Sequence, residues 1–257
     1  VTASNTGGES MPSETVGCRI APNPSAPRVL VVNAFDRFDR SANLRHNVVA
    51  KNWSPPGNSG SIERVVPRWN NSFDYVVAHG KAIAAAGWAF DSCQNEAVAN
   101  NQVALANYAV VIWACGNEST GDETFSALEQ SRIANYLANG GALFASGAEI
   151  AYDLGRPSGP TTGDRNFLQN QLHAAYGADN SGSYTVTAAP GGIFAGRASA
   201  TFDDGTHGIY WVKTPDQISP VGNAIPALNY SGGTGGAAAI QYDGAMGSGR
   251  VVMFGFP

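Results

Sequence analysis

The sequence predicts an α/β domain, a three-layer sandwich with a mostly parallel sheet between helices. Three observations carry this. Short continuous apolar runs recur at Arg28–Asn33, Tyr108–Cys115, Ala142–Ala145 and Arg250–Gly255. Uninterrupted runs rich in β-branched residues belong to strands covered on both faces. Between them lie stretches with apolar residues three and four apart, the helical period. The runs exit into Gly, Asn, Ser and acidic residues, as turns in an alternating strand–helix chain do.

The clearest unit is Tyr108–Asp153. Its first strand turns at Gly116-Asn117-Glu118-Ser119-Thr120-Gly121. A helix follows from about Thr124, with Phe125, Leu128, Ile133, Tyr136 and Leu137 on one face. Gly140-Gly141 stops it, because glycine takes the left-handed cap conformation without a Cβ clash. The second strand ends at Ser146-Gly147-Ala148-Glu149. A unit of this kind makes two neighbouring parallel strands.

Upstream, Arg28–Asn33 is the first strand, Ser72–Ala86 a helix capped by Asn71 or Ser72, and Trp88–Cys93 the second strand. The expected strand order is therefore 2-1-3-4 plus later strands. His79 falls on the apolar side of its helix, between Val76 and Ile83, and reads as a core or interface histidine. Residues 41–70 show no regular period and contain Pro55-Pro56-Gly57, which predicts a long loop. After Asp153, a helix is expected over Asp164–Tyr176, with His173 near its end by the helix dipole. Tyr184–Thr187, His207–Val212, Ala227–Tyr230 and Ala237–Tyr242 predict a β-rich C-terminal part.

Composition narrows the function classes. The net charge of −5 disfavours nucleic acid as a partner. No run of 18 apolar residues exists, so no membrane span is expected. Only 14% of residues are charged, and Gly, Asn, Ser and Thr are abundant, which suits a secreted bacterial protein. The three cysteines have no metal-type spacing and form no disulfide framework. A Cys18–Cys93 bridge is conceivable, while Cys115 reads as a buried thiol. From Arg37 to Asn70 six basic residues face two acids, net +4 against −9 for the remainder. That basic stretch points either to an anionic ligand or to pairing with the protein's own carboxylates.

In open parallel sheets ligands bind beyond the carboxyl ends of the strands. Those ends carry Asp36, Glu118 and Glu149 as candidate catalytic carboxylates. Arg37, Arg68, Ser119 and Ser146 are candidate substrate contacts. Trp53 and Trp69 either stack on a sugar or pin their loop. Two neighbouring carboxylates work as acid and base when burial or mutual repulsion raises one pKa. The same oxygens suit a hard divalent ion, but no histidine ligand accompanies them, and no metal site is expected. Gly140-Gly141 and Gly232–Gly236 lack the phosphate-loop and dinucleotide spacings, so no cofactor is expected.

Two resemblances sharpen this. Val1–Ser10 (VTASNTGGES) is similar to the last hairpin of a fibronectin type III module. Residues 1–20 then read as a remnant of that module, 21–27 as a Pro-rich linker and 28–257 as the α/β domain of a longer chain. Within 28–257, the strand, Gly-containing turn, helix ending in Asn139-Gly140-Gly141 and strand ending in Ser146-Gly147 resemble the class I glutamine amidotransferase-like superfold. Val29–Asn33 with Asp36-Arg37, Phe73-Asp74-Tyr75 with His79-Gly80-Lys81, Ala86-Gly87-Trp88 with Asp91-Ser92-Cys93, and Ser146–Glu149 look like a domain of secreted bacterial proteins. Those proteins are often labelled xanthan lyase or N-acetylmuramoyl-alanine amidase. The resemblance implies a glutaminase nucleophile elbow of the form G-x-C-x-G, but Glu149 stands where the cysteine would be. Phe256-Pro257 stands where a His-Pro-Glu motif would be. Glutaminase chemistry is therefore not expected.

Two functional readings result. One is an extracellular hydrolase of acidic polysaccharide or peptidoglycan using Glu149, Glu118 and Asp36. The other is an inactive accessory domain that binds glycan or docks against neighbouring modules. A strained, solvent-open Glu149 beside a second acid favours the first reading. A Glu149 held by backbone N–H groups and Arg37 favours the second.

Overall fold

The computed structural model describes residues 4–9, 15–35, 44–49, 59–64, 74–121, 123–206, 211–244 and 249–257. Asp36, Arg37, Trp53, Arg68 and Trp69 lie outside them.

A short antiparallel hairpin comes first, β1 (Ser4–Asn5) with β2 (Gly8–Glu9). The first buried strand, β3, is Arg28–Asn33. A second hairpin, β4 (Leu44–Val49) with β5 (Ser59–Arg64), occupies part of the stretch expected to be a loop. Its residues do not alternate cleanly between apolar and polar, so the pattern hid it. Helix α1 (Tyr75–Ala85) lies within the expected helix, but its N-cap is Asp74, whose side chain makes no cap bond, rather than Asn71 or Ser72; strand β6 (Ala89–Gln94) takes the place of the expected second strand. Helix α2 (Asn95–Ala99) follows at once. Then come β7 (Val110–Gly116), α3 (Ala127–Ala138), β8 (Ala142–Gly147) and a six-residue helix α4 (Ile150–Gly155).

The C-terminal half adds α5 (Thr162–Asn170), β9 (Ala174–Ala178), β10 (Thr185–Ala188), β11 (Ala200–Thr201), β12 (Gln217–Pro220), β13 (Ile225–Tyr230), β14 (Ala237–Tyr242) and β15 (Arg250–Phe254). The helix expected over Asp164–Tyr176 is thus shorter. His173 has φ +55° beyond its end and stacks on Tyr242 at 3.6 Å. Tyr176 belongs to a strand.

Among the described residues one eleven-stranded sheet forms the body. Strands β6, β3, β7, β8 and β15 lie side by side and run parallel. In chain order the first four read 2-1-3-4, as expected. Beyond β15 the sheet continues antiparallel through β14, β13, β10 and β11, and β12 and β9 branch off β14. The fold is mixed α/β, with a parallel half and an antiparallel half in one sheet.

Period-two alternation divides the strands between two layers. Val29, Val31 and Ile112 pack with Val76 and Ile83 of α1. Leu30, Val32, Val111, Trp113, Leu143 and Ala145 pack on the other face with Ile133 and Leu137 of α3 and Phe167 and Leu168 of α5. His79 meets Phe144 edge-on at 6.0 Å, and burial lowers its pKa, which fits the interface role expected for it. The three cysteines are free thiols, so Cys18 and Cys93 form no bridge, and Cys115 is fully buried, as expected, with its Sγ donating to Thr124 O at 3.6 Å.

Helix α3 shows how local sequence sets its limits. Ser126 and Glu129 form a reciprocal capping box. At the other end Gly140, at φ +84°, donates to Leu137 O and Gly141 donates to Tyr136 O, a Schellman closure. The Glu129 carboxylate is buried and also accepts from Asn95 Nδ2 at 2.7 Å, which ties α3 to α2. Glu129→Ala leaves Asn95 and the Ser126 amide without this acceptor. We expect a loss of about 2 kcal/mol in urea unfolding, with Glu129→Gln losing less because its amide oxygen still accepts.

Candidate functional site

The carboxyl ends of the parallel strands emerge on one rim, and two clefts open there. The loop after β7 separates them: Glu118 lines one, while Asn117 and Ser119 line the other. Two predicted carboxylates therefore face different spaces.

The Glu149 cleft has a volume of about 350 Å³. Glu149 and Asp179 supply carboxyls, Lys213 an ammonium, and Asn117, Ser119 and Thr214 amide and hydroxyl groups. Each has a local reason to be there. Strand β8 leaves the sheet through Gly147-Ala148, and Ala148 N donates to Gly116 O at 2.9 Å, so the exit stays beside β7. Glu149 then occupies the N-cap position of α4 with φ −123° and ψ 11°, in the bridge region between helix and strand. Its side chain makes no cap bond. Instead Oε2 accepts from Ser119 Oγ at 3.0 Å. The loop carrying Ser119 is held to α4 by Thr124, whose N and Oγ1 donate to Asp153 Oδ2 at 2.9 and 3.0 Å. On the far side, Ser181 N donates to Pro215 O at 2.8 Å, which binds the Asp179 loop to the Lys213 loop.

Electrostatics set Glu149 apart. Its residue is 7% exposed, and burial pushes its carboxyl up to about 7. The Ser119 hydrogen bond opposes this, the charges of Asp179 and Asp153 add to it, and Lys213 opposes it. Such a carboxyl exchanges a proton near neutral pH, as a general acid must.

The second cleft, about 400 Å³, lies between the ends of β3 and β7. It collects Glu96, Glu118, Glu123 and Glu129 beside Phe35 and Asn95. Among the described residues no group of three His, Cys, Asp or Glu side chains is arranged to hold a metal ion. Ser146 lies inside β8, 2% exposed, between Ala114 and Phe254 on the neighbouring strands, and lines neither cleft. Of the predicted residues that are described, only Glu149 and Ser119 are brought together. Asp179, Tyr152, Lys213 and Thr214 were not anticipated. The only signal was a lysine, one of three in the chain, in the run Lys213-Thr214-Pro215-Asp216 between β-like pieces.

No family model and no curated protein matches the chain. Among solved structures it is similar to the mmIFT52 N-terminal domain, at 14% identity and TM-score 0.47, over 89% of this chain and 86% of that one. It is also similar to Gan42B, a GH42 β-galactosidase, at 13% identity and TM-score 0.49, over 90% of this chain and 27% of that one. A third is a β-galactosidase from Rahnella sp. R3, at 16% identity and TM-score 0.47, over 93% and 29%. The chain thus spans under a third of either galactosidase.

The raised Glu149 pKa has a consequence for stability. Below its ordinary value of 4.5 the carboxyl is protonated both folded and unfolded. As pH rises through about 7 the folded state must hold a poorly solvated charge, and stability is lost. Glu149→Gln removes this penalty. Relative to wild type, the variant should gain roughly 1–3 kcal/mol between pH 5 and pH 8.5 in urea titrations. A constant difference across that range would contradict the buried placement.

Proposed function

We propose that the chain is a glycan-directed domain of a modular extracellular protein and that Glu149 is its proton donor in hydrolysis of acidic polysaccharide or cell-wall glycan. The observation that carries this is the nearly buried Glu149 carboxyl, with a pKa of about 7, in a cleft lined by hydroxyl, amide and charged groups. A sugar presents hydroxyls that such groups recognise. Lys213 supplies the cation that an anionic sugar calls for. Glycoside hydrolysis needs an acid and a second carboxylate. Asp179 takes the place assigned to Glu118 by sequence, since it lines the same cleft and its charge reaches Glu149.

The class I glutamine amidotransferase-like superfold is part of the same proposal, supported by the parallel order 2-1-3-4 with β15 next to the fourth strand. Glutaminase chemistry is not. Cys115 is fully buried, and burial pushes its thiol well above its ordinary range, so a thiolate does not form there.

The accessory, binding-only reading draws on one observation. Glu149 is nearly buried rather than solvent-open, and Glu118 faces the other cleft, so Glu118 and Glu149 do not form a pair.

Release of reducing ends from acidic polysaccharides and peptidoglycan separates the two readings. Under the hydrolase reading, Glu149→Gln and Asp179→Asn each lower turnover by about 10²–10⁴-fold, and ligand binding by calorimetry changes little. The wild-type rate should fall as pH rises through about 7, because the protonated carboxyl is the active form. Wild-type binding without turnover on any of these glycans would favour the accessory domain.

A further inference from the structure

Asp216 lies 67 residues beyond Glu149 in sequence and is fully buried. Its Oδ2 accepts from Ala151 N at 2.7 Å and from Tyr152 N at 3.0 Å. Those are the second and third residues of α4, whose amides an N-cap side chain ordinarily satisfies. Its own N–H donates to Ala148 O at 3.1 Å and to Gly255 O at 2.7 Å, and its carbonyl accepts from Tyr230 Oη at 2.8 Å. One residue therefore grips the backbone on both sides of Glu149 and performs the capping that the N-cap residue itself does not.

We propose that Asp216 is the positioning residue of the Glu149 site: by capping α4 from a distant loop, it releases the Glu149 side chain from the helix end and lets it turn into the cleft towards Ser119. The catalytic use of Glu149 rests on the hydrolase reading above; its placement by Asp216 does not.

The reasoning is one of competition. Without Asp216, two first-turn amides lose their acceptor in a buried setting, which costs free energy until another acceptor is found. The carboxyl closest in sequence is that of Glu149, at the N-cap. Drawn back onto the amides, it would accept hydrogen bonds in its charged form and titrate at a lower pH. The charged and titratable groups around the pair are Asp153, Asp179 and Lys213 beside Glu149, and Asp179, Tyr176 and Tyr230 beside Asp216. The other Asp216 oxygen, Oδ1, is buried without a partner, and burial holds the group well above the usual carboxylate range. Asparagine keeps its shape and an oxygen that can accept from both amides.

The test is a carbon-13 NMR titration of the Glu149 carboxyl in the intact chain, with its signal identified by its loss in Glu149→Gln. Asp216→Asn should keep the Glu149 midpoint near about 7, while Asp216→Ala should drop it to about 5 or below. If Asp216→Ala fails to fold, Asp216→Ser, whose shorter hydroxyl reaches fewer amides, should give an intermediate drop. A role in stability alone would lower the melting temperature and leave the Glu149 midpoint where it is. An unchanged midpoint in the Ala or Ser variant, or an equal drop in the Asn variant, would overturn the proposal. No substrate enters the measurement, so failure to find a hydrolysed glycan bears only on the hydrolase reading.

Discussion

One buried residue ties the ends of β8 and β15 to helix α4 at the rim where the clefts open. Asp216 joins the exit of β8, the first turn of α4 and the end of β15 through hydrogen bonds to Ala148, Ala151, Tyr152 and Gly255. The approach is so close that a Cβ on Gly255 would overlap the Asp216 carbonyl oxygen, and only glycine fits there. Burying a carboxyl is costly unless its oxygens are hydrogen-bonded or it keeps its proton. Here one oxygen takes two amides, and burial raises the proton affinity of the group, so the cost is offset by closing a helix end that would otherwise be orphaned.

The chemistry of the rim depends on that closure. A short helix with its N-cap residue turned away would leave amides unsatisfied, and a six-residue helix has little stability of its own. With the cap supplied from elsewhere, Glu149 keeps a side chain directed at Ser119. Its burial and the nearby acids then follow from packing, because the loop after β7 is tied down by Asp153 and the Asp179 and Lys213 loops are tied to each other. The low dielectric of the site raises the proton affinity of Glu149.

The acidic second cleft shows the converse arrangement. Glu129 sits in it as a structural carboxylate, committed to Ser126 and Asn95. The same residue type thus caps a helix in one cleft and is released from capping in the other. What differs is whether a remote side chain takes over the helix end.

Much of this was legible in the residues. The apolar runs of β3, β7, β8 and β15 and the parallel order 2-1-3-4 follow from period and turn chemistry, which are local. The stop of α3 at Gly140-Gly141 was read directly; its start three residues past Thr124 was encoded in Ser126-Ala127-Leu128-Glu129, a capping box that the apolar period alone obscured. The shortened α5 and the strand carrying Tyr176 were misread because β9 forms only by pairing with β12, some forty residues on. For the same reason the sequence by itself identified Glu149 and Ser119 as rim residues but not their companions. Glu118 and Ser119 are neighbours in the chain, yet they line separate clefts, because the chain turns after β7, where Glu118 N donates to Cys115 O at 2.9 Å. Asp179, Lys213 and Asp216 reach the site from loops whose positions are set by long-range strand pairing, a contact that no local period records.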